Sequence, residues 1–255
     1  MNVAGQPADT LVPTPRGFRR LGEVSVGEEL FGADGQPTTV LAASDIGIAP
    51  VLRLHFDDGA QAVVTPEHLW QTRDTAAHAT AVYRTADMVA HLRRPDGAWR
   101  WTVPAPEEIE FPWSASLPVD PYTFGRQLRE GVVDAGTELE QYLTAGGEDR
   151  RDMLDGLLGD MVSIPATGAP IALAAAASLI RSLGGLTFWV RRGGGYTLDP
   201  LWIDGGGLRR ELVAAGDAGS APCRAISVAC GLYVTGADFV LTHGALPAAQ
   251  LGAAA

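Results

Sequence analysis

Two β-patterned segments separated by a helical one constrain the fold of this chain more than any other feature. Residues 11–72 carry short apolar stretches separated by the turn signals Ala33-Asp34-Gly35 and Asp57-Asp58-Gly59. The same pattern resumes near the C-terminus, where strands are predicted over 223–229, 231–235 and 238–242. The fold class predicted is therefore mainly β, with an all-β domain interrupted by a smaller α-rich (α+β) insert.

Local signals predict individual elements within this arrangement. Strands are predicted over 38–43, 51–56 and 60–65, the last two joined as a hairpin through Asp-Gly, and a short helix over 85–94 with Thr85 as its N-cap. After residue 105 a Pro-rich passage precedes predicted helices at about 121–130, 138–145, 149–160 and 168–183, and a hairpin of 188–192 with 196–203.

Composition limits the classes of function. The chain has 255 residues, 46% hydrophobic and 19% charged; all 19 basic residues are Arg, and 30 acidic residues give a net charge of −11. This charge makes DNA a disfavoured partner, although a local basic patch remains compatible with it. The N-terminus lacks the features of a signal peptide, and the longest apolar run, Pro170 to Ile180, is too short to span a bilayer. We expect a cytoplasmic monomer with no membrane association.

The two cysteines, Cys223 and Cys230, have no spacing typical of a zinc site, and we expect no metal and no cofactor. A reducing compartment disfavours a disulfide between them. Cys230 lies in an apolar stretch and is predicted to be a structural, small hydrophobic residue.

Chemistry-bearing residues concentrate at the edges of the two β-patterned segments. Thr65 and His68 are three residues apart, Trp70 follows, and the C-terminal segment carries Cys223 and Thr242-His243. A histidine can act as a general acid and a cysteine as a nucleophile, which suggests acyl-shift chemistry on the protein's own backbone. The alternatives are structural: Trp70 as a core aromatic, Thr65 as a strand residue and Cys223 as a buried apolar residue.

An ordered series of motifs resembles inteins, most closely those of bacterial and phage helicases. The series is Asp9-Thr10, Thr14-Pro15-Arg16-Gly17, Val26-Gly27-Glu28, Phe31-Gly32-Ala33-Asp34-Gly35, Thr65 with His68, and Thr242-His243. The resemblance covers 5–72 and about 222–245 well and the middle weakly. It implies the HINT horseshoe fold, a β domain whose two ends meet at one site. The expected division is 5–105 and 206–245 for the two HINT halves, 106–205 for the insert and 246–255 for a tail.

The resemblance also assigns roles to residues. Gly5 stands where ordinary inteins begin with a nucleophilic Cys or Ser, and the chain resembles the class 3 subgroup, which lacks that nucleophile. Class 3 uses a Cys in the C-terminal half, with a Trp after the first His and a Thr before the last one. Cys223, Trp70 and Thr242 match these three positions. In the family, the counterpart of His68 helps the scissile amide expel its nitrogen, and that of Thr65 helps hold the carbonyl.

The C-terminal junction departs from the family pattern. Gly244 stands where a terminal Asn would cyclise with the help of His243, and Ala245 stands where Ser, Thr or Cys would accept the acyl chain. We expect splicing to be blocked, leaving at most Cys223-dependent cleavage at the Ala4–Gly5 bond, with the protein's own flanking segments as substrate. The alternative is an inert HINT relic that acts as a binding or structural domain.

The middle segment weakly resembles a LAGLIDADG homing endonuclease. Residues 117–125 match the start of its first motif, with Glu130 as a weak candidate metal ligand; the second motif, 154–162, has Met161 at the acid position. Asp160 is one residue away, which rotates a helical side chain by about 100°. Because two-metal cleavage needs acids from both motifs, we expect no nuclease activity. The alternatives are a helical packing insert or a DNA-binding remnant.

Overall fold

The computed structural model describes residues 4–112, 116–132, 138–159, 164–165, 170–192, 195–203 and 207–245. The predicted tail 246–255 and Asp160 and Met161 of the second motif lie outside these ranges. Among the described helices, none combines the length and the apolar character needed to cross a membrane.

The chain forms fifteen described strands and five described α-helices, and the predicted mainly β architecture is confirmed. The strands are β1 Gln6–Pro7, β2 Leu11–Thr14, β3 Gly17–Arg20, β4 Glu29–Phe31, β5 Pro37–Phe56, β6 Gln61–Val64, β7 Leu69–Asp74, β8 Ala79–Arg84, β9 Trp101–Pro104, β10 Ile164–Pro165, β11 Leu186–Arg192, β12 Gly195–Leu201, β13 Arg209–Val228, β14 Leu232–Thr235 and β15 Val240–His243. The helices are α1 Thr85–Ala90, α2 Pro121–Glu130, α3 Glu138–Leu143, α4 Gly147–Leu158 and α5 Pro170–Ser182.

An antiparallel pair of long strands, β5 and β13, forms the centre of the β domain. Each has 20 residues, and their ladder runs from Leu212 opposite Phe56 to Val228 opposite Val40. The prediction of separate strands over 38–43 and 51–56 was wrong, as was the start of the C-terminal strand at 223. The middle of β5 is mostly solvent-exposed on both faces, so it carries no alternation of apolar and polar residues to reveal it.

Six further strands extend this pair into an eight-stranded sheet, and the other described strands form three separate sheets, β10-β12-β11, β14-β15 and β2-β3. The sheet order is β4-β5-β13-β9-β7-β8, with β1 paired to β13 and β6 paired to β5. The hairpin of β5 with β6 confirms its prediction from Asp-Gly, with His55 opposite Gln61. Because β1 is the described start of the chain and β13 belongs to its C-terminal part, their pairing brings the two ends together.

The segment between β9 and β13, which we call the insert, leaves and rejoins the sheet at neighbouring points. β9 ends at Pro104, and β13 begins at Arg209, directly opposite Pro104 in the ladder. Between them, α2, α4, α5 and β12 contribute to an apolar core of the insert that includes Phe124, Met153 and Leu179. Two predicted helices, at 121–130 and 168–183, correspond closely to α2 and α5. The predicted hairpin of 188–192 with 196–203 corresponds to β11 and β12.

Helix α1 differs from its prediction at both ends. Its N-cap is Arg84 in an extended conformation, and Thr85 is the first helical residue rather than the cap. The Thr85 hydroxyl donates instead to the carbonyl oxygen of His68, 3.1 Å away. The helix ends at Ala90, four residues earlier than predicted, and Arg93 then forms an isolated bridge with Trp99.

Helices α2 and α4 approach each other through glycine. A methyl group on Gly125 would overlap the Met153 carbonyl oxygen and lie 3.1 Å from the Leu157 nitrogen. A methyl group on Gly156 would lie 2.9 Å from the Tyr122 carbonyl carbon. The close packing of this helix pair therefore depends on the absence of side chains at both positions.

We predict that Gly125→Ala destabilises the insert by about 1–3 kcal/mol, because the added methyl group forces the two helices apart. Urea unfolding followed by far-ultraviolet circular dichroism measures this change. Gly216→Ala in β13 is the matched control, since a methyl group there meets no atom within 4 Å. Equal unfolding midpoints for the two variants would contradict the packing argument.

Candidate functional site

The N-terminal segment is held at the end of β6 by Thr65. The Gly5 amide donates to Thr65 Oγ1 at 3.0 Å, and the Thr65 amide donates to the Gly5 carbonyl oxygen at 2.9 Å. Both residues are buried. The pair of hydrogen bonds fixes Gly5, and with it the preceding Ala4–Gly5 peptide bond, beside the turn that leads to His68.

Position 5 has little room for a side chain. A methyl group there would lie 2.7 Å from the Arg224 carbonyl oxygen and against Ile46 Cδ1. The overlap with this backbone oxygen could be relieved only by a shift of β13. A nucleophilic side chain at this position would therefore disturb the strand that carries Cys223, which is a physical reason for glycine at this junction.

His68 lies at the centre of the site. Its ring is buried, its Nε2 forms a short hydrogen bond with Thr242 Oγ1, and its Nδ1 has no hydrogen-bond partner among the described residues. Burial, with a smaller effect of nearby His243, lowers the pKa of His68 from 6.5 to about 3. The imidazole is therefore neutral at neutral pH and carries one N–H.

Trp70 fixes the orientation of His68 and also belongs to the core. The two rings meet edge to face with centroids 5.3 Å apart, and Trp70 makes a similar contact with Phe56 at 6.1 Å. The Trp70 Nε1–H donates to Thr85 Oγ1 at 2.8 Å. Thr85 in turn donates to the His68 carbonyl oxygen through its hydroxyl and, at 2.9 Å, through its amide. Thr85 is thus a supporting residue that the sequence presented only as a helix start.

His243 contacts the backbone of the next residue. Its Nδ1–H donates to the Gly244 carbonyl oxygen at 2.6 Å, since a carbonyl oxygen can only accept. The Gly244 amide donates to Gly231 and the Ala245 amide donates to Ile226, which holds the junction in an ordered position. A Cβ at position 244 would lie 3.3 Å from the Ile226 carbonyl oxygen, a contact that a small adjustment relieves.

Cys223 lies on the strand beside the N-terminal segment. It is opposite Pro7 in the β1–β13 ladder, and Pro7 is two residues after Gly5, so Cys223 and Gly5 are diagonal neighbours. Diagonal neighbours of this kind have Cα atoms roughly 7–8 Å apart. The buried thiol donates to the Ala221 carbonyl oxygen at 3.3 Å, and the β5–β13 ladder has an irregularity between Cys223 and Arg224. Burial, with a smaller effect of Asp9, raises the pKa of the thiol, so Cys223 is protonated at rest.

The other sequence predictions have different outcomes. Cys223 and Cys230 are both free, and Cys230, which was predicted to be structural, is exposed in the turn before β14. An apolar sequence around it did not determine its burial, because the chain reverses there. Glu130 is the exposed last residue of α2. Within the described ranges, no group of three or more His, Cys, Asp or Glu residues could hold a metal ion.

Comparison with known proteins gives partial sequence matches. No family model matches the chain. The replicative DNA helicase DnaB of Mycobacterium intracellulare is 33% identical over 148 residues, which are 50% of this chain and 26% of the helicase. The DnaB helicase of Mycobacterium leprae (strain TN) is 40% identical over 65 residues, 25% of this chain and 11% of the helicase. The matches thus span well under two thirds of these relatives.

Solved structures similar to the chain include two DnaB inteins. The Msm DnaB1 intein splicing domain bound with zinc has a TM-score of 0.43 and 17% identity, covering 94% of this chain and 99% of the other. The Ssp DnaB Mini-Intein variant M86 has a TM-score of 0.45 and 9% identity, covering 96% of each chain.

The depressed pKa of His68 predicts a pH-dependent stability. Between pH 6.5 and about 3 the imidazole of the unfolded chain binds a proton that the folded imidazole excludes. The free energy of unfolding should therefore fall with decreasing pH in this window, by about 1 kcal/mol per pH unit from this residue. Urea unfolding of the wild type and of His68→Gln across the window measures the difference in slope.

The comparison with His68→Gln is needed because Asp57 acts in the opposite direction. Burial raises the pKa of its carboxyl from 3.8 to about 6, so the folded state binds a proton more tightly between these values. Asp57 therefore stabilises the fold as the pH falls, in both proteins equally. A difference in unfolding free energy that is independent of pH would contradict the assignment to His68.

Proposed function

We propose that this chain is an intein-like processing domain of the HINT fold, resembling class 3, whose remaining reaction is cleavage of the Ala4–Gly5 bond through Cys223. The observation that carries the proposal is the convergence of two contacts. Gly5 is hydrogen-bonded to Thr65, and three residues later His68 contacts Thr242 from the C-terminal strand. These two hydrogen bonds span sequence separations of 60 and 174 residues, and they support a site built from the N-terminal segment, the 65–68 turn and the C-terminal strand.

The partial matches to two replicative DNA helicases support this proposal. The sequence motifs resemble inteins of helicases, and both relatives are helicases named DnaB. The matched region is a minor part of each helicase, as expected if the similarity is to an inserted segment. A cytoplasmic monomer that acts on its own flanking segments remains our prediction.

The proposed reaction begins at the N-terminal junction. The Cys223 thiolate attacks the Ala4 carbonyl carbon, the C–N bond to Gly5 breaks, and a thioester forms between Ala4 and Cys223. The departing Gly5 nitrogen takes up a proton and becomes an amine. The unpartnered Nδ1 of His68 is the group proposed to assist this proton transfer, and Thr65 holds the Gly5 amide in place. Water or an added thiol then attacks the thioester, releases Met1–Ala4 and restores the Cys223 thiol.

The resting thiol limits the rate of this step. Its raised pKa leaves little thiolate at neutral pH, and its hydrogen bond to Ala221 must break before it can attack. Thr242 and His243, by contrast, are already in place. We therefore propose slow cleavage that added thiol accelerates by capturing the thioester.

The C-terminal junction is proposed to be inactive for lack of a side chain. His243 already polarises the Gly244 carbonyl, which is the electrophile that an Asn at this position would attack. Gly244 has no side-chain amide to provide the nucleophile, and Ala245 has no hydroxyl or thiol to accept an acyl chain. Splicing would stop before branch formation.

We propose that the insert is a degenerate LAGLIDADG module that retains its packing and has no nuclease activity. Gly125 and Gly156 occupy the same position of the two proposed motifs, five residues before Glu130 and Met161. The close contacts at both glycines support a paired-helix module. Glu130 is exposed, and Met161 provides no second acid, which argues against two-metal cleavage.

A second candidate function is that of an inert HINT relic that acts only as a structural or binding domain. The protonated, hydrogen-bonded thiol of Cys223 favours it, because no charged group that would lower the thiol pKa is among the causes of its shift. Dependence of cleavage on Cys223 separates the two candidates.

We predict that the full chain, incubated with dithiothreitol at neutral pH, loses Met1–Ala4 and that Cys223→Ala abolishes this loss. Intact-mass spectrometry over time measures both. Cys230→Ala is the matched control, since it removes the other free thiol but leaves Cys223 in place, and it should cleave at the wild-type rate. An intact wild-type chain after long incubation would exclude the proposed reaction and leave the relic.

We predict that Gly244→Asn produces cleavage between residues 244 and 245. The new amide can attack its own carbonyl, which His243 holds, and the resulting succinimide releases residues 245–255. Gly244→Ala introduces the same Cβ without the amide and should remain intact. Mass spectrometry detects the released fragment, and cleavage by the Ala variant would show that the amide is not the nucleophile.

A further inference from the structure

A buried cluster of four charged side chains joins the insert to the β domain. Asp58 and Arg210 are fully buried and Arg181 is 5% exposed, while Asp238 lies at the edge. Arg210 Nε donates to Asp58 Oδ2 at 2.8 Å, and Arg181 forms a short ion pair with Asp238. Arg181 Nε also lies 3.4 Å from Asp58 Oδ2. Two positive and two negative charges thus balance each other, three of them buried and that of Asp238 partly exposed.

Helix α5 of the insert contributes to this cluster from one face. Ser178 and Arg181 are three residues apart, so they lie on the same side of the helix. Ser178 Oγ donates to the Ala237 carbonyl oxygen at 2.9 Å, and Arg181 Nη2 donates to the Asp58 carbonyl oxygen at 2.6 Å. The helix therefore holds two turns of the β domain: 57–60, between β5 and β6, and 236–239, between β14 and β15.

Both turns lead directly into the candidate site. The 57–60 turn begins β6, which ends beside Thr65 and His68, and the 236–239 turn begins β15, which carries Thr242 and His243. The Gln61 amide donates to Asp238 Oδ2 at 3.0 Å, which ties the starts of β6 and β15 to each other. Arg210 adds a hydrogen bond to the Phe239 carbonyl oxygen at 2.9 Å.

We infer that Arg181 is a positioning residue of the processing site, through which the insert sets the placement of β15 relative to β6 and thereby the contact of Thr242 with His68. Without its guanidinium, helix α5 loses both the hydrogen bond to the Asp58 carbonyl oxygen and the ion pair with Asp238 that hold the two turns. The two turns then separate, and Thr242 moves away from His68. The insert is in this sense part of the site rather than an appended module.

The predicted loss of cleavage rests on the proposed function. The predicted protonation of His68 is independent of cleavage. The test variant combines Arg181→Gln with Asp238→Asn, which removes one charge of each sign and keeps the cluster neutral. Imidazole ¹⁵N NMR at a pH midway between about 3 and 6.5 reports the protonation of His68. We expect a neutral ring in the wild type and a protonated ring in the variant, because loss of the Thr242 contact admits water.

Cleavage of the Ala4–Gly5 bond in the full chain is the second measurement. A small displacement of groups around a reacting bond can slow a reaction roughly 100-fold, so we expect at least a tenfold loss in the variant. The matched control combines Arg100→Gln with Asp74→Asn, which removes the charges of a partly buried pair, 2.8 Å apart, in the β domain. This control should keep both the wild-type His68 spectrum and the wild-type rate.

An Arg181 and Asp238 variant that is folded by circular dichroism and has the wild-type His68 spectrum would overturn the inference. If it does not fold, Ser178→Ala decides, since it removes only the hydrogen bond to Ala237; a shift of the His68 resonances supports the inference, and an unchanged spectrum overturns it. A wild-type chain that never cleaves refutes the proposed function alone, because the His68 spectra still test the role of Arg181.

Discussion

Twenty residues of β5 pair with twenty of β13, and this ladder joins Val40 to Val228 and Phe56 to Leu212. Pairing two strands that are so far apart in the chain is entropically costly. The solvent-exposed middle of the ladder buries little apolar surface to offset this cost. The apolar contacts lie at its two ends. Leu54, Phe56 and Leu212 belong to one buried cluster, and Val40, Ile226 and Val228 belong to another. Two separate cores therefore anchor one ladder, and β1 can pair with it next to Cys223.

The location of the insert follows from the same ladder. Pro104 and Arg209 are opposite each other, so the chain leaves and returns at adjacent points of one sheet. A segment inserted between two adjacent points leaves the ladder undisturbed, and the entropic cost of closing it as a loop grows only slowly with its length. The insert has its own apolar core, but Arg181 reaches out of it to Asp58. Arg150 donates to the carbonyl oxygen of Ile109, whose side chain packs with Phe31 and Phe239 of the β domain. These buried guanidinium groups are what fix its position on the β domain.

The predictions that succeeded rest on short-range signals. Helix α2 was predicted over 121–130, and in the structure it begins after Asp120, whose side chain accepts from the Thr123 amide, and ends before Gly131 in the left-handed conformation. The β5–β6 hairpin follows from its Asp-Gly turn. The middle of β5 was missed because its pairing uses backbone groups, which leave no trace in the apolar pattern. The exposure of Cys230 is decided by a turn and could not be read from composition.

Long-range polar contacts were harder to predict than the site residues themselves. The motif spacing singled out Thr65, His68, Trp70 and Thr242, and in the structure hydrogen bonds and a ring contact connect these residues to one another and to Gly5. It gave no indication of Thr85, which supports both Trp70 and His68. Nor did the Asp57-Asp58-Gly59 turn signal indicate that Asp58 is buried between Arg181 and Arg210, which are 123 and 152 residues further along the chain. Such partners depend on the assembled fold.

The contacts of the candidate site also have a structural value that is separate from chemistry. The hydrogen bonds of Gly5 with Thr65 hold the N-terminal segment, and that of His68 with Thr242 joins buried polar groups that would otherwise be left unpaired. Loss of either would destabilise the fold whether or not a peptide bond is cleaved. Good geometry at these positions is therefore expected of both an active domain and a relic. The thiol of Cys223 differs, because at neutral pH it is protonated in both the folded and the unfolded chain, so its pKa affects attack and leaves stability unchanged. The chemistry of this one residue therefore distinguishes the two functions.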